Sequence, residues 1–477
     1  MLVNEMNHDG PRRGGISCGM SAAFADDSRD SVPDVAAAYA ARLLGSLGLK
    51  PSPALRTSGQ HPAAAWAACG LMDLTGPAGG AAQMCPVPLA ACADGALAAL
   101  ASLAPASTLD ALSGAQLLAE RAAVMGLRRA GPVSPGGACR LYQAADGWIA
   151  LNLARPDDWS LLPAWLELAE TPEADALPRL IAQGSMRDLV ERGRLLGLAV
   201  SADRAAHAAT QPWFSTIAEG SPRQQSGRPA PRVVDLSSLW AGPLCSHLLQ
   251  RLGAEVIKVE SPHRPDGARQ GHAAFFDLLN AGKRCVAIDP REKSGREQLR
   301  ALIASADIVI EGSRPRGLRQ LGIDAEDLVR GTPGLSWIAI SGHGRGEPQE
   351  NWVAYGDDAA VAAGLSQLML QATGLHLICG DAIADPLTGL HAALAAWASH
   401  LNGGGRLLSL ALSGVVAHCI AFDLPETAAA LRERQQHWTA LAHRAGLRPP
   451  HARHAAAAAH ALGADTVAVL AELSIAC

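Results

Sequence analysis

Two aspartates in this chain stand in alanine-rich helical sequence, where a carboxylate can either cap a helix or react. Asp385 lies in Ala384-Asp385-Pro386-Leu387-Thr388-Gly389-Leu390, and Asp94 follows Ala93 within a similar alanine-rich stretch. An aspartate ahead of a helix accepts its first free N–H groups. It is also ionised at neutral pH, so it can attack a carbonyl without a general base. The residue types alone leave both roles open. A faint repeat links the two: Ala68-Cys69-Gly70-Leu71 precedes Asp94 as Ala362-Ala363-Gly364-Leu365 precedes Asp385, with glycine-to-aspartate separations of 24 and 21 residues. On that count Asp94 is the counterpart of Asp385. Asp381 and the Gly356-Asp357-Asp358 turn offer further carboxylates, and His343 sits in a glycine-rich loop.

A second chemistry is excluded by what a turn lacks. Val233 to Pro262 reads as a buried strand, a turn at Ala241-Gly242-Pro243, an amphipathic helix and a second strand ending on Glu260. A dinucleotide site at such a turn needs G-x-G-x-x-G, so that a pyrophosphate can reach the helix N-terminus. Here the turn is Ser238-Leu239-Trp240-Ala241-Gly242-Pro243, with an indole where the phosphate would sit, and NAD is not expected. The ten cysteines include no C-x-x-C pair and no His/Cys cluster at metal spacing. No metal is expected, and reduced thiols in a cytoplasm are the simplest reading. A net charge of −5 gives no electrostatic case for nucleic acid or an anionic membrane, and no apolar run reaches a membrane span.

These residues must be positioned by a chain of 477 residues, enough for two or three domains. Residues 1–32 are a polar tail with no apolar segment of signal-peptide type, expected to be disordered, with Met20 as an alternative start. Residues 33–219 hold an alanine-rich helical segment followed by a small α+β module. In that module Cys139–Tyr142 and Ala145–Asn152 form two strands around an Asp-Gly turn. Residues 220–231 are a Pro/Gly linker. Residues 232–420 then alternate strand and helix, with strands expected at Arg232–Leu236, Glu255–Glu260, Cys285–Asp289, Ile308–Glu311 and Trp337–Ser341. Short apolar strands between helices imply α/β architecture: a Rossmann-like, doubly wound parallel sheet, with ligands beyond the carboxyl ends of its strands. Residues 421–477 form a C-terminal tail with a helix.

Several separated motifs resemble the family III CoA-transferases, which include α-methylacyl-CoA racemases. They are Val233–Pro262; the run Phe275 to Asp289 containing Asn280-Ala281-Gly282-Lys283-Arg284; Ala306 to Pro315; and Ile340-Ser341-Gly342-His343-Gly344. Asp146-Gly147-Trp148 is similar to that family's small domain, and Leu462–Thr466 with Val469–Leu473 to its C-terminal helix. The resemblance implies transfer of CoA between an acyl-CoA donor and a carboxylic acid acceptor, with CoA as substrate and an interlocked homodimer. The A-D-x-x-[ST]-G-L pattern makes Asp385 the implied catalytic residue, carrying an anhydride and then a CoA thioester. By family position, Lys283, Arg284 and Arg314 would meet the CoA phosphates, and Leu239, Trp240 and Ala241 would line the adenine or pantetheine. The family often has asparagine after the glutamate; here Gly312 follows Glu311. Two alternatives accompany this reading, an acyl-CoA racemase or isomerase and a non-catalytic acyl-CoA-binding homologue. The family's racemases need a histidine where this chain has Gly356, which disfavours the first. Domain order also departs from the family: small-domain sequence precedes the large domain, as if the back half of one copy were fused to the front half of another.

Overall fold

The computed structural model describes residues 34–51, 55–104, 108–206, 212–223 and 230–476; the expectations for residues 1–32 lie outside them. Among the described residues ten strands form two sheets. The small one contains β1 (Cys139–Ala144), β2 (Gly147–Asn152) and β3 (Ala199–Ala202), antiparallel in the order β1-β2-β3. The large one contains β4 (Ser215–Glu219), β5 (Arg232–Asp235), β6 (Glu255–Glu260), β7 (Arg284–Ala287), β8 (Ile308–Glu311), β9 (Ser336–Ser341) and β10 (Arg406–Ala411). Its order is β4-β10-β9-β8-β5-β6-β7, with every pair parallel except β4 with β10. Counted from β5, the six parallel strands run 3-2-1-4-5-6, the doubly wound arrangement whose ligand crevice opens where the order reverses. That point lies between β5 and β8.

The central strands are runs of β-branched residues, Val233-Val234 in β5 and Ile308-Val309-Ile310 in β8. Such runs suit a sheet covered on both faces. β4 and β10 were not expected. β4, Ser-Thr-Ile-Ala-Glu, is an antiparallel edge strand with mostly exposed side chains, and β10 begins directly after Gly403-Gly404-Gly405. All three glycines have positive φ and turn the chain back against 220–223: Gly220 N–H donates to Gly405 O and Arg223 N–H to Gly403 O, each at 2.8 Å. The start of the expected linker therefore continues the sheet edge.

At the centre of the main core lies the helix Ala384–Leu401. It is buried on every side, which small alanine side chains permit. The helix Ala241–Arg251 packs on one flank and the N-terminal helix Leu89–Ser102 on another. Gly389 allows the first approach: a Cβ there would stand 2.7 Å from the Ala241 carbonyl oxygen. The helical segment before the small module thus shares one hydrophobic core with the large sheet. The small module has a core of its own, built on Ile149, Leu151, Trp165, Ile181 and Val200. It meets the helix Gly356–Ala362 through Cys139, Leu141 and Ala150 against Val361.

The C-terminal segment is a strap. Arg448 N–H donates to Ala67 O, Arg453 pairs with Glu120, Ala459 N–H donates to Asp277, and Asp465 bonds the backbone of Cys285 in β7. No described helix is long and apolar enough to cross a membrane.

Candidate active site

Asp385 is the second residue of the helix Ala384–Leu401 and is half-buried, whereas every other residue from Asp381 to Ser399 is buried. Its carboxylate accepts backbone hydrogen bonds from Ala241 and Gly356. Each of these is the first residue of its own helix, Ala241–Arg251 and Gly356–Ala362. Three helix N-termini therefore converge on one carboxylate, and their partial positive charge favours the anion. Burial works the other way and dominates: the Asp385 pKa is raised to about 6, against the opposing pull of Arg121 and the two N–H groups and with help from Asp381.

Around Asp385 stand three buried carboxylates and one guanidinium. Arg121 clamps Asp381 through two bonds of 2.8 and 2.5 Å, with its guanidinium 5.7 Å from the centre of the Trp240 ring. Asp357 accepts from Ala382 N–H at 2.7 Å; burial first, then Asp381, raise it to about 7 against the pull of Arg121. Ala382 itself has φ of +44°, a conformation uncommon outside glycine, in the loop that delivers Asp385. Asp358 accepts from Tyr355 N–H at 2.8 Å and from Asn152 at 3.2 Å, and burial raises it to about 7.

Asp358 carries a stability prediction. Its folded pKa lies above the unfolded value of about 3.9, so the folded state binds the extra proton. Its contribution is fully present below about pH 4 and is lost as pH rises through about 7. Asp358→Asn keeps the acceptor oxygen and removes the titration. Urea unfolding from pH 4 to 8 is expected to show a flatter stability profile for this variant than for the native chain.

The expected ligand-lining residues separate into two groups. Leu239, Trp240 and Ala241 lie at the switch point of the sheet. Leu239 has φ of +69° and is 40% exposed, its N–H held by buried Asp266 at 2.9 Å. Trp240 is buried edge-on against Phe275, and Ala241 bonds Asp385. Gly312 packs beside this loop, where a Cβ would stand 3.1 Å from that of Ser237. Arg314 is near Arg316, Arg155 and Arg264, whose charges together with burial lower its pKa. Among the described residues no carboxylate pairs with Arg314 or Arg316. Both line a cavity of about 920 Å³ with Arg155, Arg194, Asn351 and Trp352, between the small module and the loops after β8 and β9. Asp385 is not among the residues that line this cavity.

Lys283 and Arg284 are not in that group. The Lys283 ammonium is fully buried, bonded to Asp235, Ser246, Asn280 and the Pro243 carbonyl at 2.7–3.3 Å. Arg284 pairs with Glu472 of the C-terminal helix at 2.5 Å and with Glu255 at 3.3 Å. Asp94 accepts from Ser113 Oγ at 3.1 Å and Ala115 N–H at 3.0 Å, and so caps the neighbouring turn. His343 lines a different cavity, of about 320 Å³, with Trp213 and Arg345; burial and Arg194 lower its pKa to about 4.

Sequence reading gives no sign of Arg121 or of Gly136. Gly136 is exposed beside the site, where a Cβ would stand 3.2 Å from Arg121 Nη2 and 3.8 Å from Asp381 Oδ1. Neither residue carries a local motif that would have marked it.

Comparison with known proteins bears on the region that holds this site. Residues 231–459 match the model described as CoA-transferase family III. The chain is 33% identical over 200 residues to a formyl-CoA:oxalate CoA-transferase of Rhodopseudomonas palustris strain TIE-1, covering 39% of this chain and 47% of that protein. It is 30% identical over 198 residues to a succinyl-CoA–D-citramalate CoA-transferase of Chloroflexus aurantiacus (39% and 49%). It is 30% identical over 207 residues to a succinate–glutarate CoA-transferase of Agrobacterium fabrum (40% and 52%). The chain spans about half the length of the curated relatives it matches. Among solved structures, a CaiB/BaiF family protein from Brucella suis is 31% identical, with 42% of this chain and 56% of that one covered and a TM-score of 0.36.

Proposed function

We propose that this chain, whose residues 231–459 match the model described as CoA-transferase family III, moves CoA between an acyl-CoA donor and a carboxylic acid, with Asp385 as the covalent carrier. The observation that carries this reading is the placement of Asp385, half-buried in a stretch from Asp381 to Ser399 that is otherwise buried, among three helix N-termini. The Asp385 carboxylate attacks the thioester carbonyl, forming an acyl-aspartyl anhydride and releasing CoA thiolate. The thiolate attacks the aspartyl carbonyl, which breaks the anhydride, frees the donor acid and leaves an aspartyl-CoA thioester. The acceptor carboxylate attacks that thioester to give a second anhydride and thiolate. Attack of the thiolate on the new acyl carbonyl yields the product thioester and restores Asp385. No proton moves in any step.

Backbone N–H groups of Ala241 and Gly356 face the position where oxyanions develop, and rigid donors of this kind stabilise tetrahedral intermediates. The CoA phosphates are assigned to Arg314 and Arg316, since guanidinium suits bidentate phosphate contact; Leu239 and Ala241 are assigned to the pantetheine. The relatives are named for formyl-CoA with oxalate, succinyl-CoA with D-citramalate and succinate with glutarate. Short carboxylic acids are accordingly the proposed donors and acceptors. Racemisation is not proposed. A Cβ on Gly356 would collide with Asp385 Oδ2, so a histidine base at that position has no room.

The test is incubation with a panel of short acyl-CoAs, trapping with hydroxylamine, and peptide mass spectrometry. A hydroxamate on Asp385 is expected; CoA binding with solvent deuterium uptake and no adduct would reject transfer. Because attack needs the ionised carboxylate and its pKa is about 6, the rate of adduct formation is expected to rise with pH and level off above that value.

A further inference from the structure

Segments of the N-terminal half repeat segments of the second half, in a register the sequence pattern misplaced. One residue-number offset pairs Gly70 with Gly364, Cys85 with Cys379, Ala90-Ala91 with Ala384-Asp385, and Gly95 with Gly389. Gly70 and Gly364 share one conformation, φ 88° and ψ 5° against φ 94° and ψ 10°, each just before a helix. A second offset pairs the helix Val35–Ser46 with Ala241–Arg251. Leu47 N–H donates to Leu43 and Leu44 carbonyls as Leu252 N–H does to Leu248 and Leu249, and Leu49 and Ala254 close the same turn. The packing repeats too: a Cβ on Gly95 would stand 2.6 Å from Ala36 O, as one on Gly389 would stand 2.7 Å from Ala241 O. Finally, Ala-Leu-Ser-Gly occurs at 111–114 and again at 411–414, each time before a helical segment.

Equivalent residues of the two halves meet, as they would across a pseudo-two-fold axis. The Cys85 thiol hydrogen-bonds the Cys379 thiol, its own counterpart, and the helices Leu89–Ser102 and Ala384–Leu401 pack together. A residue that touches its equivalent lies at such an axis. In this register the counterpart of Asp385 is Ala91, not Asp94. Gly356, Asp357 and Asp358 correspond to Pro62, Ala63 and Ala64, and Asp381 corresponds to Val87. The first half has lost every carboxylate of the site. One polar group runs the other way. Arg121, in the first half, crosses to clamp Asp381, and its counterpart after the shared tetrapeptide is Ala421.

We propose that the N-terminal half is a built-in inactive partner that donates Arg121 to the site of the second half, so that a single chain holds one complete active site. Arg121 is a positioning residue. It orders Asp381 and, through its charge, keeps Asp385 ionised nearer neutrality. The inference rests on the transfer reading for its kinetic arm but not for its physical arm.

Light scattering of the full chain comes first. A particle of 49.3 kDa, with activity per chain constant on dilution, is expected. Twice that mass, with activity lost on dilution, overturns the built-in partner. The second arm compares trapped Asp385 adduct in the native chain, Arg121→Lys and Arg121→Gln. Arg121→Gln is expected to slow adduct formation about a hundredfold and to move the acidic limb of the pH profile up by about one unit. Arg121→Lys keeps the charge and is expected to keep the limb in place. A native limb position in folded Arg121→Gln overturns the role of Arg121, and so does a shifted limb in Arg121→Lys. If the native chain forms no adduct, the transfer reading fails by itself. The register is then judged by the mass and by thermal unfolding, where Arg121→Gln must destabilise the chain more than Arg128→Gln, which lies exposed seven residues on.

Discussion

Asp385→Asn is expected to abolish CoA transfer while leaving the fold intact, with turnover down by about four orders of magnitude or more. The amide is isosteric with the carboxylate and one oxygen can still accept from Ala241 or Gly356, but it cannot form an anhydride. The loss therefore falls on the covalent step rather than on binding. Stability should move the opposite way. Burial raises Asp385 to about 6, so the folded chain carries the charge at a cost above that pH, and asparagine removes that cost. At pH 8 the variant is expected to melt no lower than the native chain. This is the trade between reactivity and stability that strained reactive sites show. Acyl exchange between acyl-CoA and free acid, measured beside thermal unfolding, checks both halves of the prediction. Retained exchange would remove Asp385 from the chemistry. Asp385→Ala guards against slow deamidation, which regenerates the aspartate.

The second large effect concerns a residue that family position assigns to CoA and geometry places in the core. Lys283→Met is expected to destabilise the fold by about 3–5 kcal/mol. The ammonium lies at the end of β5 against Asp235, with both side chains fully buried. Burial alone would raise Asp235; Lys283 and Lys258 overcome that and hold it at about 2. Burial, with Lys258 nearby, brings Lys283 down to about 8 despite the pull of Asp235. Removing Lys283 leaves Asp235 with Lys258 alone, and Ser246, which bonds both Asp235 and Lys283, loses a partner. The double change Lys283→Met with Asp235→Asn should recover part of the loss, the coupling expected of residues in direct contact. Urea titration measures both. Arg284→Met, next in sequence but on a partly exposed pair with Glu472, should change stability little. Were Lys283 a phosphate ligand, the same variant would weaken CoA binding at unchanged stability.

Lys283 also shows where the sequence stops being legible. Five of the six parallel strands could be read because short strands rich in Val and Ile, such as β5, β8 and β9, alternate with helices, and in such a sheet the crevice follows from topology. β4 could not be read, because a polar edge strand has no periodicity to distinguish it from linker. The motif around Lys283 fixed its place along the chain, but the direction of a side chain at a tight turn is set by the packing of Asp235 and Ser246 from distant segments. Asp385 was legible through its flanking residues. Its companions Asp357 and Asp381 were noticed only as nearby carboxylates. Arg121 was invisible, since nothing within several residues of it marks a role and its meaning depends on a partner in the other half. Asp94 misled for a simpler reason: counting from glycine to the nearest aspartate selected it, whereas the conserved spacing from Gly70 to Gly95 selects Ala91.

The unequal halves have a further consequence for how such a chain can change. In an assembly of identical subunits every substitution is made twice, once in each mirror position, and a residue that helps one site must be tolerated in the other. Here the two positions are written separately. Alanine or proline could settle at 91 and 62, filling a well-packed interior, while aspartate and glycine stayed at 385 and 356, where the proposed chemistry would need them. Apart from Arg121 and the groups that hold it against Asp381, that half was left free to be optimised as a scaffold, and an engineer could continue the process away from Arg121.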